Sequence, residues 1–129
     1  MYETDQVLRA AVDAMTTGDF EALPGLFADD VVIHVPGTNR LFGEYKGKAE
    51  LFDGFLSTLT SLTDGQVVLE PHEIIGSEDH AVGIYTWRAT RDGMTIEWRQ
   101  VNVYHVRSGR IVEVWQHPFD FERWNDFWS

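Results

Sequence analysis

Apolar residues in the amino-terminal half of the chain show the spacing that is typical of helices. One stripe, with intervals of three and four residues, predicts a helix over residues 4–16. Its members are Leu8, Ala11, Val12 and Met15. Gly18 is well placed to end this helix, and Asp19 to cap a second, short helix that Pro24 makes irregular. The apolar residues of that second helix are Phe20, Leu23, Leu26 and Phe27.

A third helix is predicted after two short strands. The apolar, β-branched run at 31–35 predicts the first strand, and residues 42–46 predict the second. From Gly47 onward a stronger apolar stripe predicts a helix over 48–61. The stripe consists of Leu51, Phe52, Phe55, Leu56 and Leu59.

The carboxy-terminal half changes to the two-residue alternation of strands. The predicted strands cover 66–76, 80–91, 94–107 and 110–118. Asp92-Gly93 and Ser108-Gly109 have the composition of tight hairpin turns. Aromatic residues then return to near-helical spacing, which predicts a short closing helix; they are Phe121, Trp124, Phe127 and Trp128.

This order of elements predicts an α+β fold in a single domain, 1–129. Helices that precede an antiparallel meander pack together on one face of the sheet. We therefore expect a cone-shaped α+β barrel, in which a strongly curved antiparallel sheet wraps around three N-terminal helices. The chain shows no internal repeat and no linker.

The strands at 94–107 and 110–118 carry the residues of a predicted pocket. Alternation places Trp98, Gln100, Asn102 and Tyr104 on one face, and Trp115 with His117 on one face of the returning strand. If the two faces coincide, they form an apolar wall with convergent polar groups, as in small-molecule sites. A bulge near Trp115 would rotate part of this set out of register. Arg99, Val101, Val103 and His105 are expected on the outer face.

Composition and motifs exclude several classes of partner, cofactor and chemistry. The net charge is -11, so nucleic acid and anionic membranes are poor partners. No cysteine is present, which excludes disulfides and a thiol nucleophile. The start of the chain does not resemble a signal peptide, and no run is apolar enough for a membrane span, so we expect a cytoplasmic protein. No metal-ligand spacing and no phosphate loop is present, so we expect no metal and no cofactor.

Three segments resemble the nuclear transport factor 2-like superfamily, which includes ketosteroid isomerases, limonene epoxide hydrolases and SnoaL-like polyketide cyclases. They are FADDVVIHVPGTNRLFGEYKG at 27–47, YHVRSGRIVEVW at 104–115 and HPFDFERWNDFW at 117–128. Together they look like a SnoaL-like member. The resemblance covers nearly the whole chain and implies the cone-shaped fold, cofactor-free chemistry and a homodimer formed through the outer sheet face.

The catalytic residues of these enzymes carry over only in part. His117 stands where the epoxide hydrolases have an Asp, and aromatics at 85–87 replace their Arg and Asp. His34-Val35 occupies the place of the isomerase base, and Asn102 that of the second isomerase acid. Asp120 matches the acid/base Asp of the SnoaL-like cyclases.

Candidate catalytic residues are His117, Asp120 and His34. An imidazole titrates near neutral pH, so His117 is the first candidate for proton transfer. The alternative is a structural His bonded to Asp120, which itself could orient His117, act as the base or cap the closing helix. His34 is either a core residue satisfied by a backbone group or a second pocket imidazole.

Candidate substrate-binding residues are those of the aromatic wall. They are Asn102, Tyr104, Trp98, Trp87, Trp115 and Tyr85. Asn is disfavoured in central strands, so Asn102 should have a hydrogen-bonding partner or a ligand. The sequence thus favours acid/base chemistry, such as isomerisation, cyclisation or dehydration, on a small hydrophobic molecule. The alternatives are a binding module without turnover and a dimerisation module.

Overall fold

The computed structural model describes residues 1–129 and has mixed α+β architecture. Helix α1 is Glu3–Thr17, and the closing helix α3 is Phe121–Phe127. Helix α2 runs from residue 47 to 63 in three parts, of which the middle one is wound as a π-helix; they are Gly47–Ala49, Glu50–Leu56 and Ser57–Thr63. The strands are β1 (Phe27–Val35), β2 (Gly43–Lys46), β3 (Val67–Gly76), β4 (His80–Arg91), β5 (Met94–Arg107) and β6 (Arg110–Pro118).

The six strands form one curved sheet that does not close into a complete barrel. Their order is β2-β1-β6-β5-β4-β3, so β2 and β3 are its edges. The antiparallel meander predicted for 66–118 is confirmed, because β3, β4, β5 and β6 pair in sequence and antiparallel. The sheet as a whole is not purely antiparallel, since β1 runs parallel to β6 on the free edge of that meander.

Both strong helical stripes pack against the concave face. Helix α1 buries Leu8, Ala11 and Val12 together with inward-facing residues of the sheet. Gly18 ends the helix as predicted, because it adopts a left-handed conformation (φ 77°) and its N–H bonds to the carbonyl of Ala14. The α2 stripe buries Leu51 and Phe55.

The predicted second helix is wrong. Only a single 3-10 turn, Pro24–Leu26, forms there, because Pro24 has no N–H to donate to a preceding helical turn. Phe27 already begins β1 and packs edge-on against Phe52, with ring centroids 6.0 Å apart. Two helices precede the meander, and α3 follows it.

Two-residue turns set the hairpins. Asp92 and Gly93 both have positive φ, as do Ser108 and Gly109, which is the conformation that matches the twist of paired strands. Both predicted hairpin turns are therefore confirmed. No helix of the structure combines the length and the apolar character that crossing a bilayer requires.

Candidate functional site

A cavity of about 390 Å³ lies between the two long helices and the concave face of the sheet. Most of its lining is hydrophobic, and it includes Leu8 of α1 and Phe55 of α2. No Asp, Glu, His, Lys or Arg lines it. Exposed lining residues, among them Phe20 and Thr60, mark its opening. The size and character are those of a site for a small, mostly apolar molecule.

Five polar side chains of the wall form one continuous hydrogen-bonded chain that follows β5 and ends on β4. The indole Nε1 of Trp98 donates to Gln100 Oε1 over 2.9 Å, and Gln100 Nε2 donates to Asn102 Oδ1 over 2.9 Å. Asn102 Nδ2 then donates to the Tyr104 hydroxyl over 3.1 Å. The chain ends where Tyr104 meets the Tyr85 hydroxyl of β4 at 2.9 Å. Strand alternation brings these inward side chains into line.

The indole fixes the direction of this chain. An indole N–H can only donate, so Gln100 must turn its oxygen toward Trp98 and its NH₂ group toward Asn102. Because Asn102 Oδ1 accepts the hydrogen bond from Gln100, the NH₂ group of Asn102 points toward the Tyr104 hydroxyl. Two hydroxyls then share one mutual hydrogen bond, which uses one of their two protons. One phenolic proton remains for an acceptor in the cavity.

A glycine makes room for the end of the chain. Gly83 faces inward on β4, directly opposite Asn102. A Cβ atom at this position would collide with the Tyr85 hydroxyl. The absence of a side chain at Gly83 therefore lets the Tyr85 ring lie along the strand and reach Tyr104.

Both hydroxyls stay protonated at neutral pH. Burial raises the pKa of Tyr85 far above its ordinary range, and the adjacent Tyr104 adds to that effect. Burial also raises the pKa of Tyr104, against the opposing effect of its hydrogen bonds to Tyr85 and Asn102. The pair can therefore donate a hydrogen bond to a ligand but is a poor base.

Five of the residues predicted to bind substrate lie together in this cavity. They are Tyr85, Trp87, Trp98, Asn102 and Tyr104. Trp87 stacks on Trp98, with centroids 6.2 Å apart and planes 11° apart. The partner expected for Asn102 is confirmed, since its amide is bonded on both sides. The role of these residues in binding stays a prediction.

The predicted placement of Trp115 and His117 in the cavity is wrong. They pair with Val103 and Val101, which places them on the outer face of the sheet. The reason is a bulge: Val106 pairs with Ile111 while His105 pairs with Glu113, so Val112 is an extra residue in β6. Every later residue of β6 changes face relative to a regular hairpin.

His34 and Asp120 are also outside the cavity, contrary to their predicted catalytic placement. His34 Nε2 lies 2.5 Å from Glu113 Oε2, and its ring stacks on Trp115 on the outer face. It is thus neither a pocket imidazole nor a core residue bonded to backbone. Asp120 is exposed and accepts a hydrogen bond from Arg123 Nε over 3.0 Å. It makes no cap hydrogen bond to α3 and none to His117.

Gln116 lines the cavity although it is absent from the predicted site. The bulge brings it opposite Asn102 on the inner face. A signal for it existed in the sequence: a regular hairpin would place Glu113 on the inner face, and a buried, unpaired carboxylate is costly. That cost favours the bulged register, which carries Gln116 inward.

Comparisons with known proteins agree with this fold. The sequence model of the family described as SnoaL-like domain matches residues 8–114 of this chain. An uncharacterised protein of Mycobacterium tuberculosis, Rv0034, is 26% identical over 124 residues, which cover 95% of this chain and 94% of that protein. The chain is also similar to Bal32a from a soil-derived mobile gene cassette, with TM-score 0.91, 26% identity and coverage of 98% and 97% of the two chains.

TerC, which was co-crystallised with polyporic acid, superposes with TM-score 0.83 at 22% identity, over 96% of each chain. Structures described as NTF2-like are among the further matches. The fold and its enclosed cavity define an NTF2-like α+β protein. Within that class, this chain belongs to the SnoaL-like family.

Proposed function

We propose that this protein binds a small, uncharged, mostly apolar molecule that presents an oxygen acceptor to the Tyr85–Tyr104 pair. The observation that carries the proposal is the directed hydrogen-bond chain, which leaves one phenolic proton unused in an apolar cavity. A ligand oxygen that accepts this proton satisfies the chain. Since no charged side chain lines the cavity, a charged ligand would lose its hydration without compensation.

The likeness to TerC supports a small organic ligand in this fold. That protein was crystallised with polyporic acid. The identity of 22% supports the common fold and not a common ligand. The SnoaL-like family includes polyketide cyclases and isomerases, which is consistent with oxygenated ring compounds.

A matched pair of bicyclic probes tests the proposal. We expect 2-tetralone, which has a ketone, to bind about tenfold more tightly than tetralin, the corresponding hydrocarbon, because one hydrogen bond contributes about 1 kcal/mol or slightly more. Replacing both Tyr85 and Tyr104 with Phe should remove this difference in titration calorimetry. Tyr2→Phe, an exposed tyrosine outside the cavity, is the control. Equal affinity of the wild-type protein for the two probes contradicts the proposal.

The natural ligand can be sought directly. Mass spectrometry of compounds extracted from the purified protein should identify a neutral, oxygen-containing molecule. The double Phe variant, purified in the same way, should retain less of it.

Enolisation of a bound ketone is a second candidate function. A hydrogen bond from a protonated phenol polarises a carbonyl and stabilises negative charge that develops on its oxygen. The cavity wall contains no carboxylate or imidazole to remove the α-proton, so water would have to take it. Exchange of the α-protons of 2-tetralone in D₂O, followed by proton NMR, should then be faster with the protein than with the double Phe variant. Equal rates would leave binding alone as the function.

A further inference from the structure

Gln116 is the one carboxamide of the cavity wall that takes no part in the hydrogen-bonded chain. Gln116 on β6 lies directly opposite Asn102 on β5, and Cβ atoms of such pairs are about 5 Å apart. Its carboxamide nevertheless makes no hydrogen bond within the protein, whereas every other amide of the cavity wall is paired. The amide of Asn102 bonds instead to Gln100 and Tyr104 along β5.

An unpaired amide in an apolar wall matters energetically when a ligand arrives. A ligand that covers Gln116 with hydrocarbon strips it of water and gives no hydrogen bond in return. A ligand that offers a matching group replaces the lost hydrogen bonds to water and avoids this cost. A ligand that pairs with Gln116 should therefore bind more tightly than one that covers it with hydrocarbon.

We infer that Gln116 selects ligands that carry an adjacent donor and acceptor, such as a lactam or a hydroxy-ketone. A carboxamide offers an N–H donor and an oxygen acceptor side by side, so a neutral N–H/C=O or O–H/C=O edge complements it with two hydrogen bonds. This inference rests on the proposed function and names the ligand class of the same cavity. A single acceptor would be enough for the tyrosine pair, but it would satisfy only half of Gln116.

The test uses two probes that differ by one group. In 3,4-dihydro-2(1H)-quinolinone an N–H stands beside the carbonyl, where 2-tetralone has a CH₂. We expect the lactam to bind the wild-type protein about tenfold more tightly, the value of one added hydrogen bond. Gln116→Leu should reduce this preference to about twofold or less. Gln116→Met, an unbranched apolar replacement, should do the same, which guards against a fold defect in one variant.

The control is the same substitution elsewhere. Gln6 is exposed on α1 and does not line the cavity, so Gln6→Leu should keep the tenfold preference. If both probes bind the wild-type protein with equal affinity, or if both Gln116 variants keep the preference, the role of Gln116 is refuted while the proposed function stands. If neither probe binds, the proposed function fails and the inference falls with it.

Discussion

The buried amides on β5 show how single residues define a site. Gln100 and Asn102 would each be costly in a strand core if left unpaired. They are tolerated because the donor-only indole of Trp98 orders the whole chain toward Tyr104. Replacing Gln100 or Asn102 with an apolar residue leaves a hydrogen-bond partner unsatisfied on each side. Replacing Gln116, which has no hydrogen-bond partner in the protein, leaves no group unsatisfied.

Asn102→Leu should therefore lower the free energy of unfolding by about 1–3 kcal/mol, the cost of stranding the buried partners of Asn102. Gln116→Leu, on the same face of the neighbouring strand, should change it by less than about 0.5 kcal/mol. Urea denaturation of the two variants and the wild-type protein measures both values. A larger loss of unfolding free energy for Gln116→Leu than for Asn102→Leu would show that the hydrogen-bonded side chains of β5 do not stabilise the fold.

The tyrosine pair should make stability depend on pH in the alkaline range. The pKa values of Tyr85 and Tyr104 are raised in the folded protein, so both keep their protons above pH 10, where the unfolded chain loses them. Stability from this source is complete below pH 10 and falls as pH rises, by about 1.4 kcal/mol per pH unit for each tyrosine that stays protonated. Urea denaturation between pH 9 and 11 should show a steeper fall for the wild-type protein than for the double Phe variant. Parallel slopes would contradict the assignment.

At the scale of elements, periodicity predicts most of the fold. The four long strands, the two hairpin turns, α1, α2 and α3 all occur where the pattern places them. The pattern fails at 19–27, where Pro24 and the core contact of Phe27 prevail over a short apolar stripe. It also fails within β6, since one inserted residue reverses every later side chain and two-residue alternation has no means of showing it.

The same limit applies to the candidate site. The aromatic and amide residues of β4 and β5 could be predicted because those strands are regular through the cavity. His117 could not be placed correctly because its position depends on the bulge at Val112. The cost of burying Glu113 is the physical argument that would have corrected the register.

Two single-residue deletions test the bulge. Deleting Val112 should leave a regular hairpin with the native faces and cost less than about 2 kcal/mol, because Ile111 and Glu113 keep their partners. Deleting Val114 should bring Glu113 onto the inner face beside Tyr104 and cost several kcal/mol. Thermal unfolding followed by circular dichroism compares them. If deletion of Val112 is the more harmful of the two, the extra residue of β6 lies elsewhere.

At the scale of the whole molecule, the outer face of the sheet presents a strip of mainly apolar residues. Cross-strand pairing aligns these residues over four neighbouring strands, and most are only partly covered. The strip consists of Ile75, Val82, Val103 and Trp115. Contiguous apolar strips of this kind are typical of surfaces that associate. We propose that two copies of the chain pair through this face.

Sedimentation should accordingly give a dimer at tens of micromolar. With a net charge of -11 on each copy, association should strengthen as salt screens the repulsion. Val103→Lys, at the centre of the strip, should give a monomer. Val68→Lys, an exposed valine near the edge of the same sheet, is the control and should remain a dimer. A wild-type monomer at this concentration would contradict the proposal.

The distribution of the indoles gives the molecule a built-in optical reporter. Four of the five tryptophans line the cavity, and Trp115 alone lies on the outer face. The tryptophan fluorescence of the protein therefore combines two signals of separate origin, one from the interior and one from the exterior. In a Trp115→Phe variant, quenching or a spectral shift would report only what enters the cavity. The difference spectrum from the unsubstituted protein would report what covers the outer surface, so occupancy and pairing can be followed without a label.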